Sequence, residues 1–166
     1  VTAGTMCGFV GSETVTASTV GTFADKNVAT GKTVTMVYTL ANGTNGGLAS
    51  NYSLANTTTT ANITAKALTV SGITATDKVY DGNTTASVVT SGAVYSGLVS
   101  GDAVTVSATG VFTAQNVLTA QDVGTSKTVT LTSTYSGADV GNYSITDQAS
   151  TTANITPKAL TVSGIT

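Results

Sequence analysis

Apolar side chains recur at every second position in several stretches of this chain. Residues 31–40, GKTVTMVYTL, set Val34, Met36, Tyr38 and Leu40 on one face against mostly Thr on the other. Residues 102–112, DAVTVSATGVF, alternate Val104, Val106 and Ala108, and residues 66–73, KALTVSGI, alternate Leu68, Val70 and Gly72. A period of two marks a strand with one face on a core and one in water, so each stretch predicts a half-buried antiparallel strand. Between them lie YDGN (80–83), VSGD (99–102), NGTNGG (42–47) and SGADVGN (136–142), rich in residues that accept positive φ or close Asx-turns. Only GAVYSGLVSGD (92–102) allows a short helical turn.

The pattern also repeats on a longer scale. TTANITAKALTVSGIT (59–74) returns as TTANITPKALTVSGIT (151–166), a spacing of 92 residues, and NYSL at Asn51 returns as NYSI at Asn142. GKTVTMVYTL from Gly31 matches SKTVTLTSTY from Ser126, and GFVGSETVT from Gly8 matches GLVSGDAVT from Gly97. A self-match at a fixed period predicts repeated supersecondary units. The expected organisation is an incomplete first unit over 1–65, a complete unit over 66–157, and the opening strand of a further unit over 158–166. The first unit has no counterpart to residues 66–89, so the chain reads as a window on a tandem array, out of phase with the repeat boundaries. The expected fold is mainly β, with small antiparallel β modules, such as a β-sandwich, set end to end. Residues 66–156 are expected to fold alone.

Composition sharpens this picture. Charged residues make up 8% of the chain, there is no His or Trp, and one Pro occurs. About a fifth of the residues are Thr, which with Val fits a pleated surface better than a helix. A net charge of −2 with six cations dispersed along the chain offers no basic stripe for phosphates, so nucleic acid is not an expected partner. No apolar run is long enough to span a bilayer.

Candidate chemistry is sparse. The most conspicuous motif, Tyr80-Asp81-Gly82, admits a sugar or protein contact through an exposed ring, but the three residues suit a turn with Tyr80 at a core edge. Asn51, Tyr52, Asn142 and Tyr143, with Phe23 and Phe112, recur at equivalent places, which points to packing. The acids are scattered, without the closely spaced carboxylates that calcium takes, and the one arrangement they allow is Asp139 with Asn142 and a loop carbonyl. No cofactor is expected, and zinc has no ligand set. Without His the usual base for a Ser nucleophile is missing and no GxSxG occurs, so the chain does not read as an enzyme. Cys7 has Ser96 as its counterpart, which favours an incidental thiol over an intermolecular bridge. A Lys–Asn isopeptide joining Lys66 to Asn62, Asn142 or Asn154 needs a buried acid beside the pair, and an exposed Lys66 at a module junction is the simpler reading. The sequons at Asn62 and Asn154 follow from Thr abundance.

KALTVSGITATDKVYDGNTTA, GTFADKNVATGKTV, GADVGNYSI and TTANITPKALTV together resemble the YDG/MBG-type repeat of large bacterial surface adhesins, including filamentous-haemagglutinin-like secreted proteins. Departures are modest: the usual AGNY stands as VGNY at 140–143 and ASNY at 49–52. The resemblance implies extracellular β-rich modules of β-grasp-like fold, in stalks or fibres, on a bacterial surface or in a biofilm matrix. On that footing the expected function is a structural repeat module. The partners are neighbouring repeats, or other copies if Lys158, Leu160 and Val162 act as a donor strand. The other reading is a module binding polysaccharide or a host surface.

Overall fold

The computed structural model describes residues 4–113 and 120–164. The chain divides into two compact units, Val1–Thr64 and Ala65–Thr166. The protein is mainly β, with several small sheets.

The first unit is a three-stranded sheet of β1 (Val15–Phe23), β2 (Ala29–Asn42) and β3 (Thr57–Ile63), in the order β1-β2-β3. β1 and β2 pair antiparallel from Val15↔Asn42 to Phe23↔Val34. The period-two pattern is realised here: Val34 and Met36 are buried, Tyr38 and Leu40 half-buried, and the intervening Thr33, Thr35 and Thr39 exposed.

The second unit opens with β4 (Lys66–Ser71) and the short β5 (Thr74–Ala75), β6 (Lys78–Val79), β7 (Thr85–Ala86), β8 (Val88–Val89) and β9 (Val94–Ser96). The long pair β10 (Thr105–Phe112) and β11 (Gly124–Ser136) follows, then β12 (Tyr143–Thr146) and β13 (Ser150–Thr156). β10 and β11 repeat the β1–β2 hairpin, with Phe112↔Val129 standing where Phe23↔Val34 stand in the first unit. They lie in a sheet of order β6-β13-β11-β10-β7, and a second sheet, β12-β4-β9, has β4 in its middle. The two share one core, including Leu68, Val70, Ile73, Phe112, Val129 and Ile155.

Three expectations are corrected. The modules are not wholly antiparallel: β12 pairs parallel with β4, Tyr143↔Lys66 through Thr146↔Thr69, and β13 pairs parallel with β6. Both joins link segments far apart in the chain, where no hairpin dictates direction. Gly72 does not continue the inward face of β4. It sits at φ 79 with the carbonyl oxygen of Gly92 only 2.5 Å from where a Cβ would stand. The strand ends there, and the turn drives Ile73 into the core at 1% exposure. Finally, the stretch expected to allow a helical turn holds β9. Among the described residues the helical turns are 3-10, at Ala49–Asn51 and Val140–Asn142, one ahead of each NYS.

Each unit carries the same β-bulge, in the β2–β3 pairing of the first and the β11–β13 pairing of the second. In the first unit it lies between Ala29 and Lys32, where Gly31 has φ 63 and donates its N–H to Asn62 Oδ1 at 2.8 Å. In the second it lies between Gly124 and Lys127, where Ser126 has φ 48 and donates to Asn154 Oδ1 at 2.8 Å. Side chains tolerate that left-handed conformation poorly, so Ser126→Gly should stabilise the second unit by roughly 0.5–1 kcal/mol. Gly31→Ser should weaken the first by a similar amount. A drop in urea midpoint for Ser126→Gly would show that the bulge does not strain Ser126.

Candidate functional site

The YDG motif forms a clipped turn. Gly82 takes φ 76, and Asp81 Oδ1 and Oδ2 accept from the N–H and the carboxamide of Asn83 at 3.1 and 2.8 Å. Lys78 closes the clip: its ammonium pairs with Asp81 Oδ1 at 2.6 Å and donates to Asn83 Oδ1 at 2.9 Å, 5.9 Å from the centre of the Phe112 ring. The Lys78 ammonium, then the Asn83 N–H, hold the Asp81 carboxyl below its ordinary range. Tyr80 donates its backbone N–H to Thr156 O at 2.9 Å, and the residue is 37% exposed. Asp77, beside the clip, accepts from the N–H and the carboxamide of Asn154 at 2.7 and 2.8 Å, and these bonds hold its carboxyl low too.

The NYS motifs are staples. In the second unit the Tyr143 hydroxyl donates to Asp102 Oδ2 at 2.6 Å and accepts from the Val99 N–H at 3.0 Å. In the first, the Tyr52 hydroxyl donates to Glu13 Oε2 at 2.7 Å and accepts from the Val10 N–H at 3.1 Å. Glu13 and Val10 are the repeat counterparts of Asp102 and Val99. Asn51 and Asn142 end the helical turns before these tyrosines. Asp139, the calcium candidate, directs Oδ2 to the Ala103 N–H at 2.9 Å. Lys66 is exposed, and the Asn62 and Asn154 carboxamides it was set against are bound into the bulges.

Two tyrosines of the second unit carry a pH dependence. Burial, then its bond to Asp147, pushes the Tyr135 phenol up to about 12, and burial, then Asp102, raises Tyr143. A raised phenol favours the folded state below its unfolded value near 10, and that stability is lost as pH climbs through the folded value. The urea midpoint of the second unit should therefore fall between about pH 10 and 12, less steeply in Tyr135→Phe. An unchanged slope in that variant would remove Tyr135 from the account.

The two units differ around β4. In the second unit β4 lies between β12 and β9, pairing antiparallel with the latter from Thr69↔Ser96 to Ser71↔Val94. Leu68 and Val70 are each 1% exposed there. The first unit holds counterparts of both flanks, residues 52–55 for β12 and residues 5–7 for β9, with no described strand between them. Instead there is a groove of about 330 Å³ lined by Met6, Phe9, Tyr38, Leu40, Tyr52 and Leu54, among others. The glycines record the same difference. A Cβ at Gly97 would stand 2.5 Å from the Ala67 carbonyl oxygen of β4, whereas its counterpart Gly8, also at positive φ, meets nothing within 4 Å. Lys158, Leu160 and Val162 lie outside any strand, with Leu160 91% and Val162 80% exposed. The sequence reading missed the staples and the bulges, although the recurrence of Glu13/Asp102 and Asn62/Asn154 was there to find.

Two units built on one hairpin, one bulge and one tyrosine staple define a β-repeat protein. The chain belongs to the YDG domain family, whose model matches residues 1–61 and 64–153. No curated protein and no solved structure matches it.

Proposed function

We propose that the chain is a structural repeat module of an extracellular bacterial adhesin stalk or matrix fibre. The observation that carries this reading is the use made of the polar groups at its motifs. Lys78, Asp81, Asn83, Asp77, Asn154, Tyr143 and Asp102 bond to one another or to backbone in ways that hold turns and strands in place. Groups bound in this way brace a scaffold and leave little free for recognition. Thr-rich exposed strand faces and low charge suit an inert spacer, and units that brace themselves suit serial repetition. Partners on this reading are other repeats or other copies.

The competing polysaccharide-binding role rests on an aromatic ring such as Tyr80. A glycan array probed with the 166-residue chain separates the two. The spacer role expects no saturable binding. Saturable glycan binding abolished by Tyr80→Ala would overturn it in favour of the binding module.

A further inference from the structure

We propose that Asn45 is a site of spontaneous covalent modification, and that its conversion to aspartate or isoaspartate unfastens residues 10–14 from the loop that clasps them. This goes beyond the stalk reading and stands on different observations. Residues 42–47, NGTNGG, hold two Asn-Gly pairs, whereas residues 65–166 hold none. Gly has no side chain to keep its backbone nitrogen away from the carboxamide carbon before it, so both pairs carry the same intrinsic reactivity. The fold separates them. Thr44 O accepts the Gly47 N–H at 3.1 Å, and Asn45 and Gly46 between them have φ 56 and 85, which makes residues 44–47 a type I′ turn. Ring closure needs the Gly46 nitrogen beneath Asn45 Cγ. Rotating the Asn45–Gly46 peptide plane, from type I′ to type II′, brings it there while φ of Asn45 stays positive. Space for that rotation is open, since a Cβ at Gly46 would meet nothing within 4 Å. Asn42 has no such freedom. It ends β2 opposite Val15, its Oδ1 accepts the Ala49 N–H at 2.8 Å, and the Gly43 N–H is given to Gly47 O at 3.0 Å. A Cβ at Gly43 would stand 2.2 Å from Thr14 O, so its peptide is packed against backbone.

The step balances with water alone. The Gly46 backbone nitrogen gives its proton to hydroxide and bonds to Asn45 Cγ. The Cγ–Nδ2 bond then breaks, and Nδ2 takes a proton from water to leave as ammonia. Water opens the resulting five-membered imide at either carbonyl, giving aspartate or isoaspartate. In the intact loop Asn45 Nδ2 donates to Ser12 O at 2.8 Å. A carboxylate has no proton to donate and sets a negative oxygen against that carbonyl, and isoaspartate also adds a methylene to the turn. The loop so loosened is the one that holds Thr14: Thr44 O accepts the Thr14 N–H at 3.2 Å, and the Thr44 N–H donates to Thr14 Oγ1 at 2.9 Å. Val10 and Glu13 of the same segment carry the Tyr52 staple, so the change reaches both fastenings of residues 10–14. In the second unit the carboxylate of Asp139 accepts the N–H of Ala103, the counterpart of Thr14, and no Asn-Gly pair occurs, so the device belongs to the first unit alone.

Storage of the full 166-residue chain in mildly alkaline buffer, followed by peptide mapping with electron-transfer fragmentation, tests this. A gain of one mass unit should appear on Asn45, with isoaspartate exceeding aspartate. In the folded chain Asn45 should react about tenfold or more faster than Asn42, whose reaction waits on local opening. In urea the two should react at similar rates, because only the fold distinguishes them. Asn45→Gln, whose ring closure would need six atoms, should gain no mass at that position over the same storage. Amide exchange at Val10, Thr14 and Thr44 should quicken about tenfold in the aged chain and in freshly made Asn45→Asp, with β11 and β13 unchanged. Asn42 reacting as fast as Asn45 in the folded chain, Asn45 staying intact there while the urea-unfolded chain reacts, or these amides exchanging alike in the native and Asn45→Asp chains would each overturn the proposal.

Discussion

Leu68→Asp lowers the stability of the second unit by more than about 3 kcal/mol, whereas Thr69→Asp lowers it by less than about 1 kcal/mol. The two positions are adjacent in β4, and only the face differs: Leu68 is 1% exposed and Thr69 points outward. At Leu68 an aspartate would enter a site walled by apolar side chains of the shared core. Its charge would have to stay unpaired or be neutralised there, and the core would also lose the leucine contacts. At Thr69 the carboxylate stays in water. Native-state amide exchange across the second unit reads both losses. Equal losses would mean that β4 does not face the core as described.

Phe112→Ala costs the second unit about 3–5 kcal/mol, and Phe23→Ala costs the first about 1 kcal/mol. These are the same position of the repeat. Phe112 is 1% exposed, beneath a core to which β4 and the segments carrying Ile73, Ala86 and Val88 contribute. Phe23 is half-buried and lines an open depression with Gly21, Val34 and Met36. Removing a ring from a closed core leaves a cavity, whereas removing one from an open face mainly loses contact area. If the two substitutions cost the same, the first unit is as fully closed as the second.

Much of this was legible from alternation alone. The hairpins, the inward residues of β2, β4 and β10 and the turn at Gly82 follow from period two and turn chemistry, which are local. The parallel pairing of β12 with β4 was not legible, because the partners lie 77 positions apart and alternation says which face is inward but not which neighbour is alongside. Gly72 was counted on the inward face of the strand, but a positive-φ glycine resets the alternation, and Ile73 is the residue that enters the core. The YDG motif was read as a turn, but the Lys78 clip was hidden, since a lone lysine in a weakly charged chain carries no pattern. The groove lined by Met6, Phe9, Tyr38, Leu40, Tyr52 and Leu54 was not legible, because alternation does not say how segments distant in the chain pack.

Hydrogen exchange on the chain tests most directly whether the KALTVSGIT strand is what closes the second unit. The account predicts that amides of β4 exchange as slowly as those of β11 and β12, in one cooperative unit. The amides of β3 and residues 52–55 should exchange far faster than their counterparts in β13 and β12. Equal protection in the two units, or β4 exchanging as freely as a loop while β11 and β12 stay protected, would contradict it.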